Sequence, residues 1–206
     1  LKKMTDRVLR KATTLKYKDG DEPFIEFDSS NTHDLLVFTN QCQVYKCKVA
    51  AFEDTKSAQL GSYLPTDLEM DADETVTWVI DPEDYKADVL FVFENGRVAR
   101  VALSGYATKT NRKRLKNAIY GGSKLMYATV LKEERDLALV SSDFRLVNFN
   151  TSLLKTKTTN STQGVQALTI KGSRTVTMVG TAEEFIGGKA QVEKFRAEKL
   201  PSAGAP

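Results

Sequence analysis

DVLFVFENGRVARVALSGY, residues 88–106, decides how the chain is read. An acid, Asp88, opens it. An apolar run follows, Asn95-Gly96 marks a tight turn, and a second apolar run returns carrying Arg97 and Arg100. Two β-rich runs around an Asn-Gly turn predict a β-hairpin.

The same design recurs. THDLLVFTNQCQVYKCKVAAF starts its pattern at Asp34 and RDLALVSSDFRLVNFNTSLL at Asp136, which lie 54 residues before and 48 residues after Asp88. Ten residues after each acid stands an apolar residue: Val44, Val98 and Leu146. Just before it comes Gln43, Arg97 or Arg145, and three after it Cys47, Val101 or Phe149. The opening LKKMTDRVL fits the second half of the same unit, with Leu1 matching Val44 and Met4 matching Cys47. Four units are therefore represented, the first without its opening strand. The chain begins on strand-like residues and without methionine, so it is expected to be a piece of a longer protein.

Each unit continues with Thr-Lys 20 or 21 residues after its acid (Thr55-Lys56, Thr108-Lys109, Thr156-Lys157), then a polar loop and further strands. These are ETVTWVI (74–80), KLMYATVL (124–131), and GVQALTI with RTVTMV (164–179). About four strands per roughly 50 residues predict an all-β, propeller-like array of about four four-stranded blades. Repetition serves burial, because a small sheet hides its faces only when neighbours cover them. A β-sandwich would supply strands and turns without the shared offsets. Residues 1–180 are expected to form the array and 181–206 a C-terminal extension, with a short helix within 182–200. The tail PSAGAP is expected to fray.

Composition is that of an ordinary globular chain: 206 residues, 41% hydrophobic, 28% charged, net charge +3. Cys42 and Cys47 are too few for a disulfide framework or a zinc site, and the single histidine, His33, is not at a ligand spacing. One histidine also disfavours Ser-His or Cys-His catalysis, and Gly121-Gly122 and Gly187-Gly188 lack the spacing of a nucleotide loop. No apolar run reaches the roughly 20 residues of a membrane span.

Charge distribution says more than net charge. TKTNRKRLKNA (108–118) carries Lys109, Arg112, Lys113, Arg114 and Lys116 and no acid. It holds the same place in its unit as KTKTTNSTQG (155–164), with Lys155 and Lys157, and TKSAQLG (55–61), with Lys56. RKATTLKYKDG (10–20), with Arg10 and Lys11, stands in the corresponding place of the opening unit. Acids gather elsewhere, at Asp67–Glu74 and Asp81–Asp84. Equivalent basic loops on neighbouring blades would form an arc on one rim, where Lys and Arg can neutralise successive DNA phosphates without reading bases. Lys46, Arg97, Arg100 and Arg145, on the hairpins' return strands, complete the expected DNA-contacting set. Asp34, Asp88 and Asp136 are read as organising turns.

DLLVFTNQCQVYK, LFVFENGRVARVALSGYATKTNRKRL and STQGVQALTIK together resemble the C-terminal β-pinwheel of bacterial type IIA topoisomerases, the family of DNA gyrase and topoisomerase IV, in which it belongs to the A-type polypeptide that carries the cleavage tyrosine. The resemblance spans about residues 1–180. It implies blades that exchange strands, and a positive perimeter that bends or wraps duplex DNA beside the catalytic core. It also implies that the cleavage tyrosine and the ATPase lie elsewhere. The remainder of the A-type polypeptide, the B-type polypeptide of the heterotetramer, ATP and magnesium would belong to the whole cytoplasmic, nucleoid-associated enzyme. Gyrase carries a Gln-Arg-Arg-Gly-Gly-Lys-Gly box; LRKATTLKYKDGDE (9–22) keeps cations without the paired glycine, which tilts the resemblance toward topoisomerase IV. A propeller-like protein–protein scaffold is the alternative.

Overall fold

The computed structural model describes residues 1–5, 15–108, 112–181, 184–185 and 188–206. The three expected hairpins are present: β1 (Asp34–Thr39) with β2 (Val44–Lys48), β4 (Asp88–Phe93) with β5 (Arg97–Ala102), and β8 (Asp136–Ser141) with β9 (Leu146–Asn150). Each turn has one geometry. Its left-handed residue is Cys42 (φ 58°), Gly96 (φ 80°) or Phe144 (φ 61°). That residue's amide donates to the carbonyl of Thr39, Phe93 or Ser141 at 3.1, 2.9 and 2.9 Å. Only glycine adopts this conformation without a steric cost.

A third strand closes each hairpin on the other side. β3 (Val76–Ile80) pairs with β1, β7 (Leu125–Leu131) with β4, and β11 (Val176–Gly180) with β8, all antiparallel. The fourth strand comes from the following unit. β6 (Arg114–Leu115) follows β5 in sequence but pairs with β2, and β10 (Val165–Gln166) follows β9 but pairs with β5. The sheets therefore run β3-β1-β2-β6, β10-β5-β4-β7 and β11-β8-β9.

Of the about four four-stranded blades expected, the described residues complete two. Among the described residues there are two four-stranded sheets and one three-stranded sheet. The opening residues do behave as the return half of a hairpin. Lys3 bridges Asp54, and Leu1 and Ser62 exchange hydrogen bonds of 2.7 Å in both directions.

The apolar runs are continuous because both faces of each sheet are covered, and the twofold alternation of a strand assigns residues to opposite sides. Leu36 and Phe38 pack with Val89, Phe91 and Phe93 between the first and second sheets. Leu90 and Val92 face the other way, against Leu137, Leu139 and Phe149 of the third. Phe38 and Phe91 meet edge-on at 5.1 Å between ring centroids, an arrangement that adds to simple burial. The outer face of the first sheet is covered by Phe52 and by Leu64 of α1 (Leu64–Asp67). On the third sheet, Ala138 packs against Val192 of α2 (Gly188–Val192).

α2 is the short helix expected within 182–200, but the tail beyond it does not fray. The Ala197 amide donates to Asn148 O at 2.7 Å, and Leu146 and Ala205 exchange hydrogen bonds of 2.8 and 3.0 Å. The tail lies along β9, the place that β6 and β10 occupy on the other hairpins. Its proline and glycine content suggested disorder, yet Gly204 (φ 68°) supplies the left-handed residue this path requires.

Candidate nucleic-acid interface

β3 packs against β7, and β7 against β11, so these edge strands face one another toward the middle of the array. β6 and β10 take the opposite edge of their sheets, which places them and their flanking connectors on the perimeter. Arg112, Lys113 and Lys116 flank β6, and Lys155 and Lys157 lead toward β10. Lys113 O accepts from the Lys46 amide at 2.7 Å, and the Lys157 amide donates to Arg100 O at 2.8 Å. The two connectors thus run along the return strands of successive hairpins.

The expected cations fall into two groups. The first is engaged within the fold. Nine residues after each acid, the side chain reaches the incoming segment: Arg97 Nη1 donates to Gly164 O at 3.4 Å, and Arg145 Nη1 to Gly204 O at 3.1 Å. In the first sheet the roles reverse, and Arg114 of β6 donates to Gln43 Oε1. Arg114 also binds Asp71 through both terminal nitrogens and lies over the Tyr45 ring, 5.6 Å from its centroid. The Arg114 hydrogen bond holds the Asp71 carboxyl below its ordinary pKa. An acid from the β2–β3 connector is therefore brought onto a cation that the basic run suggested was free.

Three residues further on, Lys46 and Arg100 pair with the opening acids. Lys46 lies 3.5 Å from Asp34, which also takes Lys48 at 2.6 Å and the Tyr85 hydroxyl at 2.6 Å. Burial pushes the Asp34 carboxyl up, but these three partners outweigh it and hold the pKa below its ordinary value. Arg100 contacts Asp88 at 2.6 Å and Glu134 at 2.8 Å, and its side chain is only 17% exposed. Desolvation would lower its pKa, but the two carboxylates raise it. The third equivalent position is Asn148, wholly buried; there Asp136 instead takes Arg196 of the tail at 2.7 Å. The acids do more than organise turns, since they fasten strands and connectors.

The second group is solvent-facing. Lys56, Arg112, Lys113, Lys116, Lys155 and Lys157 are exposed, and among the described residues none has an ion-paired carboxylate. Arg10, Lys11 and Lys109 lie outside the described residues. Sequence reasoning placed both groups together because strand alternation cannot show which outward side chains a distant segment will cover. The acid nine residues ahead of Arg97 and Arg145, and the glycines at 164 and 204, are the signals that mark the fastening set.

His33 is held by Asp81: His33 Nδ1 lies 2.8 Å and Ser29 Oγ 2.5 Å from the same oxygen, Asp81 Oδ2. The carboxylate sits between the other two, whereas a nucleophile–base relay places the imidazole in the middle. Among the described residues no group of three or more His, Cys, Asp or Glu is placed to hold a metal, and no helix is long and apolar enough to cross a membrane.

No family model matches the chain. The A-type polypeptide of DNA topoisomerase 4 from Staphylococcus aureus (strain MRSA252) is 23% identical over 171 residues, covering 81% of this chain and 21% of that protein. A crystal structure of the C-terminal domain of DNA topoisomerase IV superposes with a TM-score of 0.70 at 20% identity, over 88% of this chain and 58% of that one. The chain has the β-pinwheel fold of the C-terminal domains of type IIA topoisomerases. A DNA gyrase A C-terminal domain matches this pinwheel with a TM-score of 0.54 at 15% identity, over 83% of this chain and 59% of that one. The pinwheel spans about a fifth of the curated relatives it matches.

Proposed function

We propose that this pinwheel is the DNA-handling C-terminal domain of the A-type polypeptide of a type IIA topoisomerase. It holds duplex DNA on its perimeter through Lys56, Arg112, Lys113, Lys116, Lys155 and Lys157. The observation that carries the reading is that the connectors into β6 and β10 lie on the outer edge of successive sheets and present exposed cations that, among the described residues, have no ion-paired carboxylate. Phosphate contacts of this kind hold DNA independently of sequence and release counterions. Placed around a convex edge they also favour a bent duplex; a bend of 40–90° over 20–30 base pairs costs roughly 1–6 kcal/mol, which added contacts offset. Lys46, Arg97, Arg100, Arg114 and Arg145 shape this edge from within.

The whole enzyme would unite this domain with a cleavage core and with the B-type polypeptide, use ATP and magnesium, and work on the nucleoid in the cytoplasm. Topoisomerase IV is favoured over gyrase. The relative at 81% coverage of this chain carries that name, the TM-score is 0.70 for topoisomerase IV against 0.54 for gyrase, and 9–22 has no paired glycine. The parent enzyme, assayed with ATP, is expected to relax and unlink plasmid. Introduction of negative supercoils into relaxed plasmid would overturn that choice. For the domain itself, energy transfer between dyes at the ends of a linear duplex should rise when the chain binds; binding without a rise would contradict bending.

A scaffold role is favoured by one observation: Leu60 and Tyr63, 72% and 70% exposed, flank a groove beside Phe52. A protein partner retained at high salt, with no DNA binding at low salt, would favour that reading.

A further inference from the structure

At each of the three junctions where a segment crosses onto a complete hairpin, the described residues include one arginine. On the second hairpin it is Arg97, whose guanidinium meets the Gly164 carbonyl at 3.4 Å. On the third it is Arg145, meeting the Gly204 carbonyl at 3.1 Å. On the first it comes from the other side: Arg114 belongs to the crossing strand, and the hairpin contributes Gln43.

The equivalence is one of register. Val44 faces Leu115, Val98 faces Val165, and Leu146 faces Ala205. The residue before each partner is Arg114, Gly164 or Gly204, and the residue before each hairpin member is Gln43, Arg97 or Arg145.

Space and charge both divide this way. A Cβ on Gly164 would strike the Val98 carbonyl, and one on Gly204 would come within 3.2 Å of Arg145 Cβ and 2.8 Å of Leu168 Cδ1. At these two junctions the incoming segment runs so close that only glycine fits, against the Val98 backbone in one and against Leu168 and Arg145 in the other. A hairpin bearing Gln43 leaves room for a long side chain, and Gln43 and Asp71 supply the acceptors that Arg114 needs. Two arginines at one junction would set like charges together. Gln43 Nε2 is itself committed to Asp71 Oδ2 at 3.1 Å.

We propose that the residue nine after each opening acid is a key that selects which crossing segment its hairpin accepts: Gln43 takes the arginine-bearing segment, and Arg97 and Arg145 take glycine-bearing ones. The key disfavours two mispairings available to a repeat protein, β6 on β5 within one chain and the same exchange between two copies. Attraction at the right junction and repulsion at the wrong one together set the specificity.

The test is a swap read by amide hydrogen exchange in the full chain, at the Lys46 amide, which donates to Lys113 O beside β6. Gln43→Arg alone, and Arg114→Gly alone, should each lower protection there by about tenfold or more, the first by repulsion and the second by loss of the Arg114 contacts. The double variant, Gln43→Arg with Arg114→Gly, recreates the arrangement of the second hairpin and should recover most of the lost protection. Should either single variant fail to fold, recovery of a cooperative melting transition in the double variant serves as the same readout. Protection in the double variant at or below that of the worse single variant would overturn the proposal, as would a Gln43→Arg variant as protected as the parent chain.

Discussion

Arg145 and Gly204 lie 59 residues apart in sequence, and the Arg145 guanidinium donates to the Gly204 carbonyl at 3.1 Å. The contact makes the last residues of the chain part of the third blade. The neighbouring ion pair, Arg196 with Asp136 at 2.7 Å, fastens the start of the same segment. Removal of either should loosen the tail before the sheet. Arg145→Ala is expected to lower protection of the Leu146 amide, which donates to Ala205 O at 2.8 Å, while the β8–β11 amides keep theirs. The cost should be about 1 kcal/mol, the usual worth of one such hydrogen bond on a part-buried side chain. Equal loss across β8 and β11 would show that the tail is no separate unit.

Gly164 and Gly172 both have φ 64°, but only Gly164 has backbone against the position of a Cβ. Gly164→Ala should destabilise by at least about 2 kcal/mol, combining left-handed strain with displacement from β5. Gly172→Ala meets nothing within 4 Å and should cost about 1 kcal/mol. Denaturant unfolding of the two variants checks the difference; equal costs would mean that the crossing segment yields freely.

Phe144 is left-handed at φ 61° and 82% exposed, so its side chain gains little from burial while its backbone is strained. Phe144→Gly should stabilise the chain by roughly 0.5–1 kcal/mol, by placing at this turn the residue type that Gly96 already supplies at the equivalent one. A lower denaturation midpoint in the glycine variant would contradict this.

Asp34 has its pKa held below the ordinary carboxylate value in the folded chain by Lys48, Tyr85 and Lys46 against the opposing effect of burial. A depressed carboxylate contributes stability above the unfolded pKa and loses it as pH falls through the folded one. Tyr85→Phe removes one donor, so the folded pKa should rise toward the unfolded value and acid unfolding should begin at a higher pH. A pH titration of stability that is parallel for the two proteins, displaced only by a constant, would show that the Tyr85 contact does not act through Asp34.

The hairpins could be read from sequence because their information is local: an acid, an apolar run, a turn, and a return at fixed offsets. Even the opening fragment could be placed, since Leu1 and Lys3 pair with Ser62 and Asp54 as a return strand should. What lay beyond reach was long-range. Whether Arg97 faces solvent or a carbonyl depends on Gly164, 67 residues away; the acid nine residues ahead marks the position but does not show which segment covers it. The tail misled for the opposite reason. Proline and glycine report an irregular backbone, and irregular backbone is equally what a segment needs to cross between sheets. Of the basic run at 108–118, Arg114 proved to be fastened to Asp71, an acid from a connector that reads as a separate acidic patch.

The central claim is that connector cations meet DNA while the hairpin arginines hold the fold. It is tested most directly by the salt dependence of duplex binding. In the parent chain the logarithm of the association constant should fall linearly with the logarithm of salt concentration, with a slope of about −0.9 per phosphate contact. Replacing Lys113, Lys116, Lys155 and Lys157 together by alanine should weaken binding and make that slope less steep by up to about 3.6, if all four contact phosphate. Arg97→Ala should leave the slope unchanged under conditions where that variant is folded. A slope unmoved by the four lysine replacements, or moved as far by Arg97→Ala, would contradict the claim.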